Sequence, residues 1–166
     1  PDPQDVTANC KIAIDHGAVA AFAQGGYGDQ WSQDERIELL GKFRDFAQQN
    51  GLAAGIAGHD IAMVTAVEKS GIGPDFYFKT LNNVDYACRP TAEETIRVMS
   101  GIKTPWIAYK VLGAGRAQPS QGFKHAFASG ADFICVGMFD FQIAQDVTLA
   151  KNVLAGLPSR PRPWCA

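Results

Sequence analysis

The chain has 166 residues, of which 46% are hydrophobic and 19% charged, and its formal net charge at pH 7 is −2. This composition is that of one globular domain with a core, and the small negative charge excludes nucleic-acid binding driven by bulk electrostatics. No apolar run reaches the length of about 18 residues that a membrane-spanning helix needs, and no targeting segment is visible. We therefore expect a soluble protein, with the cytoplasm favoured as its location and no membrane partner.

Five short apolar runs alternate along the chain with segments of helical periodicity, and each run follows a Gly or a Pro that separates it from the preceding helix. The runs predict strands near residues 18–24, 52–58, 75–81, 106–112 and 131–137. They are apolar on both faces, which is typical of parallel strands covered on both sides. Without a linker between the elements, the chain reads as a single domain over residues 1–166.

Local signals mark several helix starts. Ser32 with Glu35, and Thr91 with Glu94, have the spacing of capping boxes, and Asp60 is placed to cap the helix predicted over residues 61–70. Further helices are predicted over residues 6–15, 120–128 and 141–155. The Pro-rich tail that carries Arg160 and Arg162 is interpreted as a solvated end.

Alternating strands and helices imply a parallel sheet with right-handed crossovers. Two architectures fit: an open, doubly wound sheet of five strands, or the C-terminal five βα units of a (β/α)₈ TIM barrel. An open sheet gathers its ligand groups at one switch point, whereas a barrel has them at the end of nearly every strand. All five predicted strands end in polar or Gly-rich sequence, which favours the barrel.

Five strands cannot close an eight-stranded barrel. The first residues, Pro1 to Gln4, contain no initiator Met and read as a loop inside a longer protein. We therefore expect the missing N-terminal strands to come from the same protein or from a partner chain.

The last two units carry the clearest signal for a bound anion. Gly113 and Gly115 follow the fourth predicted strand, and Gly137 with Met138 ends the fifth. Glycines there let backbone N–H groups approach a phosphate, and a short helix starting near Phe139 would add its dipole. The same glycines are equally compatible with plain tight turns.

Ionisable side chains at the strand ends supply candidate catalytic groups. Lys110 and Lys79 are solvated rim residues, charge partners for an anionic substrate, or Schiff-base nucleophiles. His59 is a candidate general acid or base, or a metal ligand. Asp140 is either a site carboxylate or the cap of the last helix.

Gln24 and Asn82 are candidate hydrogen-bonding groups for substrate hydroxyls. A metal site is not supported by the remaining histidines, since His16 precedes a strand and His125 lies on a predicted helix. A divalent metal would need ligands from the missing strands, so its presence stays open.

Between residues 51 and 150 the chain resembles an uncharacterised bacterial family of (β/α)₈ TIM barrels whose C-terminal end is similar to that of phosphate-binding barrels. The stretches that carry the likeness are residues 57–59, 75–77, 105–111 and 130–141. The resemblance implies strands four to eight of a full barrel. The chain departs from it in lacking three units and in a shorter loop over residues 83–90.

Together these observations predict an enzyme of lyase or isomerase type that acts on a small carbonyl compound, such as a sugar or sugar phosphate of carbohydrate metabolism. Lys110 would polarise the carbonyl or form an imine, His59 would move the proton, and the glycine amides would hold the anionic end. The alternatives are an FMN-dependent oxidoreductase and a non-catalytic barrel fragment or carbohydrate-binding module. Both the absence of a cofactor and FMN are compatible with the sequence.

Overall fold

The structure, a computed structural model, describes residues 5–157 and 159–165. The interpretation of Pro1 to Gln4 as an internal loop lies outside the described residues. The chain groups into two compact units, Pro1–Phe78 and Lys79–Ala166, and the division falls inside the third strand. The prediction of a single domain stays a prediction, and the two units are described in turn.

Unit 1 contains two complete strands, the beginning of a third, and four helices. In chain order these are α1 (Ala8–Asp15), β1 (Ala20–Ala23), α2 (Gly25–Gln33), α3 (Glu38–Gln49), β2 (Ala53–Gly58), α4 (Ile61–Ser70) and β3 (Phe76–Thr80). β1 and β2 run parallel, with Ala20 opposite Ala53 and Ala23 opposite Ile56. The carboxyl ends of both strands therefore lie at the same edge.

Packing in unit 1 follows from small residues on β2 and an apolar stripe on α3. Leu40, Phe43 and Ala47 of α3 are buried, as their spacing requires for one helix face. Gly55 of β2 lies against the Phe76 ring, where a Cβ would come within 2.2 Å of a ring carbon. The side chain of Asp75 accepts the Ala54 N–H at 2.7 Å, which ties the start of β3 to β2.

Helix α2 corrects the sequence analysis. The proposed capping box at Ser32 is wrong, because Ser32 lies inside α2 and its hydroxyl donates to the Asp29 carbonyl at 3.0 Å. The helix instead begins after Gln24, whose side chain accepts the Gly26 N–H. The segment directly after β1 is therefore helical, and Gln24 marks its N-terminus.

Unit 2 contains the end of β3 and two further strands. The elements after β3 are α5 (Ala92–Met99), β4 (Trp106–Tyr109), α6 (Pro119–Ala128), β5 (Phe133–Cys135), a 3₁₀ turn (Asp140–Gln142) and α7 (Ile143–Ala155). β4 and β5 are parallel, with Ile107 opposite Phe133. The predicted capping box at Thr91 is confirmed in its first half, since the Thr91 hydroxyl accepts the Glu94 N–H at 3.1 Å.

The C-terminal tail is part of the core of unit 2, and its interpretation as a solvated end is wrong. Arg162 is 1% exposed and pairs with Asp132. The Arg162 guanidinium also donates to the carbonyls of Ile102 at 2.9 Å and Thr104 at 2.7 Å. Asp132 accepts the Trp106 N–H at 2.9 Å as well. The tail thus holds together the segments that lead into β4 and β5, at the amino-terminal ends of these strands.

The five strands are all parallel and follow the order β1-β2-β3-β4-β5. An α/β fold with a parallel sheet is therefore confirmed, and this strand order is consistent with the open-sheet alternative, whereas a TIM barrel is not confirmed. Within the described ranges, no helix has the length and apolar character to cross a membrane.

Candidate functional site

A cavity of about 770 Å³ lies at the carboxyl ends of β4 and β5 in unit 2. Sites for small molecules in proteins are typically of this size. Four segments form it: the loop after β4, the N-terminus of α6, the residues that follow β5, and Tyr86 in the loop after β3. Of the predicted site residues, four line this one cavity: Lys110, Gly115, Gly137 and Met138.

The rim of the cavity is cationic. Lys110 is exposed and its Nζ lies 5.5 Å from the centroid of the Tyr86 ring, which also lines the cavity. The Arg116 guanidinium lies over the same ring at 4.7 Å. Two positive charges thus lie within cation–π distance of one aromatic ring that lines the cavity. Among the described residues that line the cavity, none is acidic.

Four residues of the loop after β4 have unusual backbone conformations. Lys110, Gly113, Ala114 and Gly115 all have positive φ, at 57°, 54°, 57° and 81°. The Gly113 N–H donates to the Lys110 carbonyl at 2.8 Å, and a Cβ on Gly113 would come within 2.4 Å of Val84. Gly113 therefore makes a tight turn and a close approach to Val84. Its predicted contact with an anion stays a prediction, whereas Gly115 lines the cavity and faces open space.

The N-terminus of α6 points into this region. Gln118 is its N-cap and Pro119 its first residue, and both line the cavity. Helix N-termini favour anions because their first N–H groups have no partner one turn back in the helix. At this terminus Pro119 has no N–H and the Gln121 N–H donates to the Gln118 carbonyl at 3.0 Å, so fewer donors than usual are open to an anion. Gly122 brings this turn against the carbonyl of Val111, where a Cβ would come within 2.5 Å of the oxygen. A small residue is thus required for α6 to start at the cavity wall.

The residues after β5 close the other side. Gly137 and Met138 line the cavity, and a Cβ on Gly137 would meet nothing within 4 Å. Asp140 is exposed, and its carboxylate accepts the Phe141 N–H at 2.8 Å. The N-cap of the 3₁₀ turn is Phe139 and that of α7 is Gln142, so Asp140 does not cap the last helix, and its role as a site carboxylate stays a prediction. The turn has three residues and α7 begins only at Ile143, so the predicted helix dipole at Phe139 is not well developed.

Lys79 and Asn82 lie in unit 2 but do not line the cavity. Lys79 is fully buried, and its Nζ donates to the Thr80 carbonyl at 3.2 Å. The buried amide of Asn82 donates to the carbonyls of Tyr86 at 2.8 Å and Lys110 at 3.2 Å, and accepts the Tyr86 N–H at 2.8 Å. Asn82 therefore supports the loop that carries Tyr86, and its predicted contact with substrate hydroxyls stays a prediction.

A buried thiol lies near Lys79. Burial raises the pKa of Cys88, and a hydrogen bond with the Asn82 backbone and the positive charge of Lys79 partly oppose this effect. Because desolvation disfavours the thiolate, Cys88 is best described as a small core residue.

In unit 1, His59 follows β2 and is held by a buried carboxylate that the sequence analysis missed. His59 Nδ1 lies 2.8 Å from Asp29 Oδ2, and the side chains of His59 and Asp29 are 16% and 10% exposed. The backbone N–H groups of His59 and Asp60 donate to Asp29 Oδ1 at 2.8 and 2.9 Å. One carboxylate on α2 thus fixes both the turn after β2 and the histidine ring.

The electrostatics of this pair favour a charged Asp29. Burial acts to raise the pKa of Asp29, but the hydrogen bonds from the His59 ring and from the amides of Asp60 and His59 outweigh it, so that the pKa lies below its usual value. Asp60, the next residue, accepts the Ala62 N–H at 2.9 Å and caps α4 as predicted.

Gln24 also belongs to unit 1. It is exposed and its side chain caps α2, so a contact with substrate hydroxyls would require its Gly26 bond to be given up. This prediction is untested. No group of three or more His, Cys, Asp or Glu side chains that could hold a metal ion occurs within the described part of the chain.

Comparison with known proteins adds no functional information to this geometry. No protein-family model matches the chain, and neither the curated proteins nor the solved structures contain a significant match. The resemblance to a family of bacterial barrels therefore stays a prediction.

Proposed function

We propose that unit 2 binds a small anionic carbonyl compound, such as a sugar phosphate, in the cavity after β4 and β5, and that the protein is an enzyme of lyase or isomerase type. The observation that carries this proposal is the convergence of Lys110, Gly115 and Gly137 on one cavity beside the N-terminus of α6. The anionic group would contact the backbone N–H groups of this region, where the helix dipole favours negative charge.

Lys110 suits the role of a charge partner better than that of an imine nucleophile. It is exposed, whereas lysines that form imines are typically desolvated in an apolar pocket or placed next to another cationic group. An ammonium beside a bound carbonyl or phosphate stabilises the negative charge that develops on oxygen during enolisation or bond cleavage. Arg116, which shares the Tyr86 ring with Lys110, adds to the attraction for an anion.

The rest of the lining indicates which part of the ligand contacts apolar side chains. Apolar side chains dominate there: Val111, Leu112, Val136, Met138 and Phe139. A ligand with an anionic end at the cationic rim and a less polar body against these residues would satisfy both halves of the cavity.

Calorimetric titration with inorganic phosphate and with dihydroxyacetone phosphate tests the proposal. Loss of one charge-assisted contact costs roughly 1.5–3 kcal/mol, so we expect Lys110→Met to weaken binding about tenfold or more. Lys124→Met is the matched control, since Lys124 is exposed on α6 outside the cavity lining and should bind as the wild type does. Equal affinities for Lys110→Met and Lys124→Met, or no binding by the wild type, would contradict the anion site.

The reaction type has its own test. Borohydride reduction in the presence of the carbonyl compound traps an imine as a stable adduct, which mass spectrometry locates on a peptide. If Lys110 acts through its charge alone, no adduct forms on Lys110 although dihydroxyacetone phosphate binds and is turned over. Binding without any turnover would favour the non-catalytic alternative.

A flavin is the second candidate, and the aromatic side of the cavity favours it. Tyr86, Tyr109 and Phe139 line the same space as the glycine amides, so that the amides could hold the FMN phosphate and the rings could contact the flavin. Purified protein that stays colourless, with no absorbance band near ~450 nm after incubation with FMN, would exclude this candidate.

A further inference from the structure

A second cavity of unit 2 is formed by the end of α7 and the C-terminal tail, and its volume is about 400 Å³. Ligand sites in proteins are commonly of this size. The apolar residues of its lining are Leu154, Leu157, Pro163 and Trp164. The charged ones are Arg160 and Arg162, and no acidic side chain lines the cavity within the described ranges. An apolar wall therefore adjoins positive charge.

Arg160 has hydrogen-bonding capacity that the described residues do not use. Its side chain is 8% exposed, and its Nη2 donates to the carbonyls of Gly130 at 2.7 Å and Ala131 at 3.0 Å. Its Nε and Nη1 are buried and have no hydrogen-bond partner in the described part of the chain. Because a buried charged donor without an acceptor costs free energy, an acceptor at these nitrogens would stabilise the folded protein.

The carboxylate of Asp132 is shared between the two arginines. Arg162 pairs with it directly, and Arg160 Nη2 lies 3.4 Å from Asp132 Oδ1. The backbone N–H groups of Trp106 and Cys165 also donate to this carboxylate, at 2.9 and 3.0 Å. Two guanidinium groups thus face a single carboxylate, which leaves one positive charge uncompensated in this cluster. Burial lowers the pKa of Arg160, and the hydrogen bond and charge of Asp132 oppose this only in part.

We propose that this cavity binds a small monocarboxylic acid with an apolar body, and that its carboxylate accepts hydrogen bonds from Arg160 Nε or Nη1. A single negative charge balances the uncompensated guanidinium, whereas a phosphate dianion would exceed it. Carboxylate oxygens form strong, charge-assisted hydrogen bonds with guanidinium N–H groups. The apolar body would pack against Leu154 and Leu157, away from water. This inference does not depend on the cavity after β4 and β5.

The ring of Trp164 covers the arginine. Its centroid lies 3.3 Å from Arg160 Cζ, so the indole stacks on the guanidinium. Trp164 is 51% exposed, whereas Arg160 Nε and Nη1 are buried. The acid therefore reaches these nitrogens by displacing the indole. Charge-assisted hydrogen bonds are stronger than a cation–π contact at a half-exposed site, so the exchange favours the bound acid and changes the surroundings of Trp164.

Fluorescence of Trp164 reports on binding. The chain contains three tryptophans; Trp31 and Trp106 are fully buried, and Trp164 lines this cavity. The probe is phenylacetate, and phenylacetamide, which has a similar shape and no charge, is the matched control ligand. We expect a saturable change in emission with phenylacetate. Loss of a charge-assisted contact corresponds to about tenfold or more in affinity, so phenylacetamide should bind more weakly by at least that factor.

Variants assign the effect to this cavity. Arg160→Met removes the unpartnered N–H groups and retains the pair of Arg162 with Asp132, so it should fold and bind phenylacetate about tenfold more weakly in calorimetry. Lys151→Met is the control, since Lys151 is exposed on α7 outside the cavity lining and should bind as the wild type does. Trp164→Phe should lose the change in emission.

Equal binding of phenylacetate and phenylacetamide by the wild type would overturn the carboxylate site, and this comparison requires no variant to fold. Absence of saturable phenylacetate binding, or equal affinities of Arg160→Met and the wild type, would overturn it as well. The phosphate titration with Lys110→Met judges the anion site after β4 and β5 separately, whatever the phenylacetate titration shows.

Discussion

Replacing Gly28 with alanine should disrupt the contact on which the Asp29–His59 pair depends. Gly28 lies on α2, and a Cβ there would come 1.9 Å from the carbonyl oxygen of Ala57 on β2, although real Cβ contacts essentially never fall below 3.0 Å. To relieve the clash, α2 and β2 would have to move apart by about 1 Å. Asp29 follows Gly28 in the helix and would move with it.

The size of the effect follows from the hydrogen bonds that this movement lengthens. Asp29 accepts the His59 and Asp60 amides at 2.8 and 2.9 Å, and a shift of about 1 Å puts them near the limit of hydrogen bonding. Overpacking costs roughly 1–3 kcal/mol, and weakened bonds to a buried charged group add roughly 1.5–3 kcal/mol. We expect Gly28→Ala to lower the free energy of unfolding by about 3 kcal/mol or more.

Urea unfolding followed by circular dichroism measures this loss, and Gly41→Ala is the matched control. Gly41 lies inside α3, where a Cβ would meet Ile72 at an ordinary 3.8 Å. Because alanine is the better helix former by up to about 1 kcal/mol, Gly41→Ala should leave the protein unchanged or slightly more stable. A free energy of unfolding for Gly28→Ala within about 0.5 kcal/mol of the wild type would refute the reasoning.

Three further predictions concern unit 2. Arg162→Met breaks a buried ion pair with Asp132 and should cost about 3–5 kcal/mol in urea unfolding. Arg97→Met breaks only a surface pair with Glu94 and should cost far less; similar losses for the two variants would contradict the structural role of Arg162. Burial alone would raise the pKa of Asp132, but the hydrogen bond from Arg162 and those from backbone amides keep it below the usual value. The stability that Asp132 contributes is therefore complete above the unfolded pKa of about 3.9 and is lost as pH falls through the lower folded pKa. Asp132→Asn should consequently show a flatter acid-unfolding profile, and a profile parallel to the wild type would exclude this contribution. Gly122→Ala should weaken phosphate binding in calorimetry, because its Cβ would push the first turn of α6 away from Val111; unchanged affinity would separate α6 from the anion site.

Local sequence patterns predicted the helices and strands well where neighbouring capping residues or apolar runs mark them. The helix over residues 61–70 has the observed bounds, Ile61–Ser70, because Asp60 caps it and Gly71 ends it in the left-handed conformation. The strands were placed correctly but too long by one to four residues, since apolar runs continue past the last paired residue.

The errors arise where distant residues decide the structure. The capping box at Ser32 indicated a helix start, yet the helix α2 already begins at Gly25, where Gly28 packs against the carbonyl of Ala57. The tail was interpreted as solvated because no neighbouring residue indicates that Arg162 pairs with Asp132, which is 30 residues away in sequence.

The candidate site was likewise predicted only in part. Its glycines and Lys110 were predicted from their positions after strands, and the structure places Lys110, Gly115 and Gly137 on one cavity. Asp29 could not be predicted, because its relation to His59 depends on the packing of α2 against β2. An aspartate inside a Gly-rich segment was the only sequence signal.

The most direct measurement of the central claim is a crystal structure of the protein soaked with inorganic phosphate, compared with the same soak of Lys110→Met. The anion site predicts phosphate within hydrogen-bond distance of backbone N–H groups at Gly115 or Gly137, or at the start of α6, with Lys110 turned towards it. Phosphate bound elsewhere, or bound equally in both crystals, would contradict the claim.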